Sequence, residues 1–134
     1  PDPDCPDYLA GSDQERAHEL HTLWRDPALR GLMAVRGGYG CLRLLTLLDY
    51  TLFRQNPRPV IGFSDLSGLA SALLRRSGLA MIHGPVLTSL ARHDQASRDR
   101  LRQLLCQGPF SLDWRGQVMI HQDGEAAGPL VCGN

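Results

Sequence analysis

Val60-Ile61-Gly62-Phe63-Ser64-Asp65 and the run that follows, Leu66-Ser67-Gly68-Leu69-Ala70-Ser71-Ala72-Leu73-Leu74-Arg75-Arg76, decide the fold. The first four residues read as a buried strand. The run from Leu66 carries apolar positions at helical spacing and stops near Gly78, a glycine suited to ending a helix. Ser64 and Asp65 therefore fall at the turn where a strand hands over to a helix.

The same alternation extends in both directions. Upstream lies a stiff Asn56-Pro57-Arg58-Pro59 loop, and before it CLRLLTLLDY (residues 41–50) predicts one strongly amphipathic helix. Arg36-Gly37-Gly38-Tyr39-Gly40 joins that helix to a short apolar run, Leu32 to Val35, which suits a buried strand. Earlier still, Ser12 or Asp13 caps a helix in which Ala17, Leu20, Leu23 and Trp24 recur at helical spacing. Glu15 supplies its acidic first turn, and Asp26-Pro27 ends it. The first dozen residues, rich in Pro and Asp, read as extended loop. Downstream, Leu79 to Ile82 forms a third apolar run ending in His83-Gly84-Pro85. Strand, glycine turn, helix, strand, turn, helix, strand is the order of an α/β protein, a parallel sheet flanked by helices.

Parallel sheets gather ligands at the carboxyl ends of their strands. Three loops meet that condition: residues 36–40, Ser64-Asp65, and residues 83–85. After Arg92 the pattern changes to a polar-faced helix (HDQASRDRLRQLLCQG) and then to short strands and turns. The expected organisation is an α/β domain over residues 1–90, a helical connection over 91–124, and the start of a second domain over 125–134.

Composition narrows the function classes. The 134 residues carry 14 basic and 14 acidic side chains, for a formal net charge of zero, and every basic one is Arg. Nucleic-acid binders carry a basic excess and membrane-surface helices a basic face; neither is visible, so no nucleic-acid or membrane partner is expected. No apolar run approaches the roughly 20 residues needed to span a bilayer. No charged-then-apolar leader is visible, but the chain opens with Pro rather than Met, so this says little about compartment; the expectation of cytoplasmic residence rests on the cysteines. Cys5, Cys41, Cys106 and Cys132 are scattered, with no C-x-x-C pair; free thiols in a reducing compartment are expected, and no metal knuckle.

Gly62-Phe63-Ser64-Asp65 carries the sharpest chemical signal. A serine at a strand-to-helix turn has its hydroxyl lifted clear of the sheet, and the next amide, that of Asp65, points toward a developing oxyanion at the helix N-terminus. The glycine two positions before the serine relieves crowding. Two positions after it stands Leu66, where an ordinary G-x-S-x-G elbow has a small residue, which argues against a common α/β-hydrolase. The competing reading makes Ser64 a helix N-cap and nothing more. Arg36 to Gly40 fits neither the dinucleotide fingerprint nor the P-loop. It reads as a tight turn, an anion cradle, or a second oxyanion donor facing Ser64. Glu15 and His18 have the E-x-x-H spacing of di-iron bundles, and His18-Glu19-Leu20-His21 superficially resembles a zinc helix. A di-iron site needs carboxylates from several helices and a zincin needs H-E-x-x-H, so these residues read as a solvated helix face. His83 could serve Ser64 as a base or stand as a hydrogen-bonded group beside a turn. His93 and His121 read as surface residues.

These residues resemble a known family. RGGYG, R-L-L-x-x-L-D-Y, N-P-R-P-V-I-G-F-S-D-L-S-x-L and G-L-A-M-I-H-G-P, in that order, resemble the LD-carboxypeptidases, the S66 serine peptidases. Tyr8-Leu9-Ala10-Gly11 and the helix through Leu20-His21 are also similar. GPLVCGN (residues 128–134) is similar to the family's G-x-L-x-G-G-N, with Cys132 where glycine is usual. The resemblance implies a flavodoxin-like N-terminal domain that lacks its first strand here. It implies Ser64 as nucleophile and the amides of Asp65 and Gly38 as the oxyanion hole, with Gly37, Arg36 and His83 as pocket neighbours. It implies no metal or cofactor, a murein tetrapeptide (muropeptide) substrate cleaved before its terminal D-alanine during cell-wall recycling, and a homodimer. The family's base, a histidine, and orienting glutamate belong to the C-terminal domain and match no residue here, so this chain alone is expected to be inactive or nearly so. Two other readings are a microcin-type peptide-nucleotide hydrolase of the same family and a non-catalytic remnant.

Overall fold

A computed structural model describes residues 8–108, 124–125 and 127–128. The described residues form two units that divide between Ala91 and Arg92.

In the first unit, α1 spans Asp13–Arg25. Ser12 caps it: the hydroxyl accepts from the Glu15 amide, and the Glu15 carboxylate accepts from the Ser12 amide at 2.8 Å, a reciprocal capping box. Trp24, fully buried at the far end of α1, donates its indole N–H to the Asn56 carbonyl at 2.9 Å. Its ring meets Phe53 edge-on, with centroids 4.7 Å apart. Burial of two aromatic rings in that geometry dominates the packing of α1 against the sheet side helices.

The strands are β1 (Leu32–Met33), β2 (Val60–Gly62) and β3 (Ile82–His83). They form one parallel sheet in the order β1-β2-β3, with Leu32 opposite Val60 and Gly62 opposite His83. All three β2 residues are buried, as the apolar run predicts for a central strand. Phe63, expected to be its fourth residue, is instead exposed beyond its end, and β3 begins only at Ile82, the last residue of its expected run. β1 is shorter than the expected Leu32–Val35, because Ala34 and Val35 turn their carbonyls to another partner. These accept from the Leu87 and Thr88 amides at 2.9 and 3.0 Å, at the start of α5 (Leu87–Leu90). The segment after β3 thus returns across β2 to the end of β1.

The single helix expected over residues 41–50 is instead two. α2 covers Cys41–Leu44 and α3 covers Tyr50–Gln55. In a continuous helix the Asp49 amide would donate to the Leu45 carbonyl. Here it donates to His21 Nε2 at 2.9 Å, and the Leu45 carbonyl accepts from the Tyr50 hydroxyl at 2.7 Å. The Asp49 carboxylate then caps α3 through the Thr51 and Leu52 amides. Of the face of α1 expected to be solvated, Glu15, His18 and Glu19 are exposed, whereas His21 departs from that reading: it is half-buried and accepts from the Asp49 amide.

α4 spans Leu66–Ser77 and ends at Gly78 in the left-handed conformation, φ 74°. Leu69, Leu73, Leu44, Leu48, Phe53, Val60 and Trp24 make the core between it, the sheet and the other helices. The second unit contains α6, Gln95–Gln107, capped by Asp94 through the Ser97 amide. The short strands and turns expected beyond residue 109 lie outside the described residues.

Candidate active site

Ser64 lies one residue beyond β2, after Phe63, and Asp65 alone separates it from α4. Its φ is +64°, and it is the only described non-glycine residue with positive φ. That conformation costs an L-residue roughly 1–2 kcal/mol and persists only where the surroundings impose it. What imposes it is a chain that must leave a buried central strand and enter a helix across only three residues, Phe63 to Asp65. Ser64 is half-buried, and among the described residues its hydroxyl caps no helix amide. The helix-cap function falls instead on backbone: the Ser67 amide donates to the Ser64 carbonyl at 2.8 Å.

Gly62 makes this turn possible by being bare. A Cβ there would stand 2.7 Å from Leu66 Cδ2 and 3.2 Å from Ala34 Cβ. Leu66 therefore occupies the space a side chain at position 62 would take. The bulky residue two positions after the serine, a departure from the usual elbow, is matched by the absent one two positions before it.

The glycine turn of residues 36–40 lies beside the serine. A Cβ on Gly37 would be 3.1 Å from Ser64 Cβ and 3.3 Å from its Oγ, so Gly37 and Ser64 are in direct contact. A Cβ on Gly38 would meet nothing within 4 Å, and Gly38 is exposed. Gly40 alone in this turn is left-handed, at φ 113°, and a Cβ there would lie 2.8 Å from Leu9 Cδ2. The turn is closed by Asp65, whose Oδ2 accepts from the Cys41 amide at 2.8 Å. Burial first, and then the Asp65 carboxylate, push the Cys41 thiol up to about 12, so it stays protonated at neutral pH.

His83 is exposed in β3, its ring edge-on to Phe63 with centroids 6.4 Å apart. Among the described residues no imidazole is hydrogen-bonded to Ser64 Oγ. Arg36 is exposed at the entrance of the glycine turn. Tyr8 and Tyr39, both exposed, stack edge-on at 5.9 Å on the same turn. An apolar gap lined by Leu20, Trp24, Met33, Phe53, Leu66 and Leu73 lies under the elbow and offers no titratable group. Among the described residues no cluster of three metal-ligating side chains occurs, and no helix is long and apolar enough to cross a membrane. Cys5, Cys132, His121 and the 128–134 motif lie wholly or largely outside the described residues. Sequence reasoning missed Cys41 and Arg16 as neighbours of the site; their only signal was flanking or facing the last glycine of the turn.

A parallel sheet with a strained serine at its central strand end, facing a glycine turn, defines an α/β protein with a nucleophile-elbow geometry. The profile of the LD-carboxypeptidase N-terminal domain (Peptidase_S66) matches residues 2–84, and the chain belongs to this family. A murein tetrapeptide carboxypeptidase of Pseudomonas aeruginosa is 49% identical over 84 residues, 62% of this chain and 27% of that protein. The microcin C7 self-immunity protein MccF of Escherichia coli is 35% identical over 80 residues, 59% of this chain and 23% of that protein. Among solved structures, an MccF-like protein from Bacillus anthracis matches with a TM-score of 0.69 at 31% identity, covering 75% of this chain and 31% of that one. The chain spans about a quarter to two-fifths of the length of the relatives it matches.

Proposed function

We propose that this chain carries the nucleophile of a cytoplasmic serine carboxypeptidase that removes the terminal D-alanine from murein tetrapeptides in peptidoglycan recycling. The observation that carries the reading is the positive φ of Ser64 at the end of β2, in contact with Gly37. Strain of this kind is kept where it presents a reactive group.

In the proposed reaction Ser64 Oγ attacks the carbonyl carbon of the L-centre. The amides of Asp65 and Gly38 stabilise the oxyanion, the C–N bond breaks, and D-alanine leaves with a proton on its amine. Water then hydrolyses the Ser64 ester. Gly37, Arg36 and His83 border the substrate pocket. The proton acceptor is the histidine, oriented by glutamate, that the family resemblance assigns to the following domain. On this reading the 134-residue chain alone is a poor catalyst, and the full-length enzyme is a homodimer that needs no cofactor.

The greater similarity to a murein tetrapeptide carboxypeptidase favours the muropeptide substrate. The similarity to MccF supports a second reading, a peptide-nucleotide substrate for the same serine. Full-length polypeptide is assayed on both substrate classes, with Ser64→Ala as control. D-alanine release from the tetrapeptide, lost in Ser64→Ala, is the expected result. Undiminished turnover in Ser64→Ala would reject the nucleophile assignment.

A further inference from the structure

Asp65 stands at the N-cap of α4, where an aspartate ordinarily accepts from the amides of its own first turn. It makes no such bond. The Ser67 and Gly68 amides donate to the Ser64 and Asp65 carbonyls instead, and the Asp65 carboxylate reaches across to the Cys41 amide, 2.8 Å away. Asp65 thus caps α2, the helix that follows the glycine turn, rather than α4. The other pole of the same peptide group, the Gly40 carbonyl, accepts from Arg16 Nη2 at 3.3 Å, and Arg16 is itself held by Asp13. One peptide, Gly40–Cys41, is gripped at its oxygen from α1 and at its nitrogen from the residue next to Ser64.

We infer that the Asp65 carboxylate is a positioning residue that fixes the Gly37–Gly40 turn against Ser64. Its second effect is to leave the first-turn amides of α4 free of a carboxylate: among the described residues neither the Asp65 nor the Leu66 amide donates to a backbone carbonyl. The inference rests on the proposed nucleophilic role of Ser64. An oxyanion hole shared between two loops works only while their separation holds, and the Asp65–Cys41 bond is the direct polar tie between them.

The test compares Asp65→Ala, which removes the acceptor, with Asp65→Asn, which keeps an oxygen for the Cys41 amide. Both are made in the full-length polypeptide, with murein tetrapeptide as substrate and amide exchange at Cys41 as a structural readout. Asp65→Ala is expected to lower kcat on the order of 100-fold with KM within about threefold, and to speed Cys41 exchange. Asp65→Asn is expected to stay within about fivefold of wild type in kcat. Wild-type kcat in Asp65→Ala, or an Asn variant as impaired as the Ala variant, overturns the inference. Should Asp65→Ala fail to fold, Arg16→Gln, which loosens the other pole, is expected to lower kcat on the order of tenfold, and an unchanged kcat overturns it. If Ser64→Ala stays active, the nucleophile reading falls; Cys41 exchange in Asp65→Ala then decides the tie alone, faster exchange supporting it and unchanged exchange rejecting it.

Discussion

Gly37 and Ser64 touch: a methyl group on the glycine would stand 3.1 Å from Ser64 Cβ and 3.3 Å from Ser64 Oγ. Contacts this tight force one partner to move, and the serine, held by a strand on one side and a helix on the other, has little room. Gly37→Ala is expected to displace the hydroxyl and cut kcat/KM on the order of 100-fold, since small misplacements of reacting groups are costly. Gly38→Ala adds its methyl to open space and is expected to stay within about threefold on the same scale. Steady-state kinetics of the two variants in the full-length enzyme check the contrast; equal effects would show that contact with Ser64 is not what matters.

The second prediction concerns the exchange of bulk between Gly62 and Leu66. Gly62→Ala places Cβ 2.7 Å from Leu66 Cδ2, and the rigid neighbour Ala34 prevents escape on the other side. Overpacking of this kind costs about 1–3 kcal/mol. Leu66→Ala opens the space, so the double variant is expected to be more stable than the sum of the single changes implies. Urea unfolding of wild type, both singles and the double gives the coupling directly; strict additivity would contradict the packing account.

His21 gives a pH dependence. Burial, and next the Arg25 charge, lower its folded-state value below the ordinary 6.5, while Asp49 opposes them and His18 adds to them. Its Nε2 must be unprotonated to accept the Asp49 amide. A lowered folded value means that the unfolded chain binds the proton more readily. The contribution is therefore whole above pH 6.5 and is lost as the pH falls below that, through the folded-state value. Urea midpoints from pH 8 to 5 are expected to drop in wild type and to drop less in His21→Gln, which keeps an acceptor without titrating. An NMR titration of His21 with a midpoint at or above 6.5 would contradict this.

The legible part of this molecule was what periodicity and local chemistry record. Apolar runs located β1 and β2 and met β3 at Ile82 alone, Ser12 with Glu15 announced α1, and Gly78 announced the end of α4. The break between α2 and α3 was invisible, because CLRLLTLLDY is helical by pattern and only the distant His21 and Tyr50 hydroxyl redirect its backbone bonds. At the site, the strand-turn-helix placement of Ser64 could be read, but its positive φ could not. Nor could the reach of Asp65 to Cys41, 24 residues away, since an aspartate before a helix announces a cap for that helix. Gly38 was preferred from resemblance, whereas the glycine packed on Ser64 is Gly37.

The central claim is that Ser64 bears backbone strain in order to present a nucleophile. Ser64→Gly tests both halves at once, because glycine accepts a φ of +64° without penalty and has no hydroxyl. Measured together on the full-length enzyme, kcat/KM is expected to fall by roughly 1,000-fold or more while the unfolding free energy holds or rises by about 1 kcal/mol. A Ser64→Gly enzyme that cleaves the tetrapeptide at the wild-type rate would contradict the account.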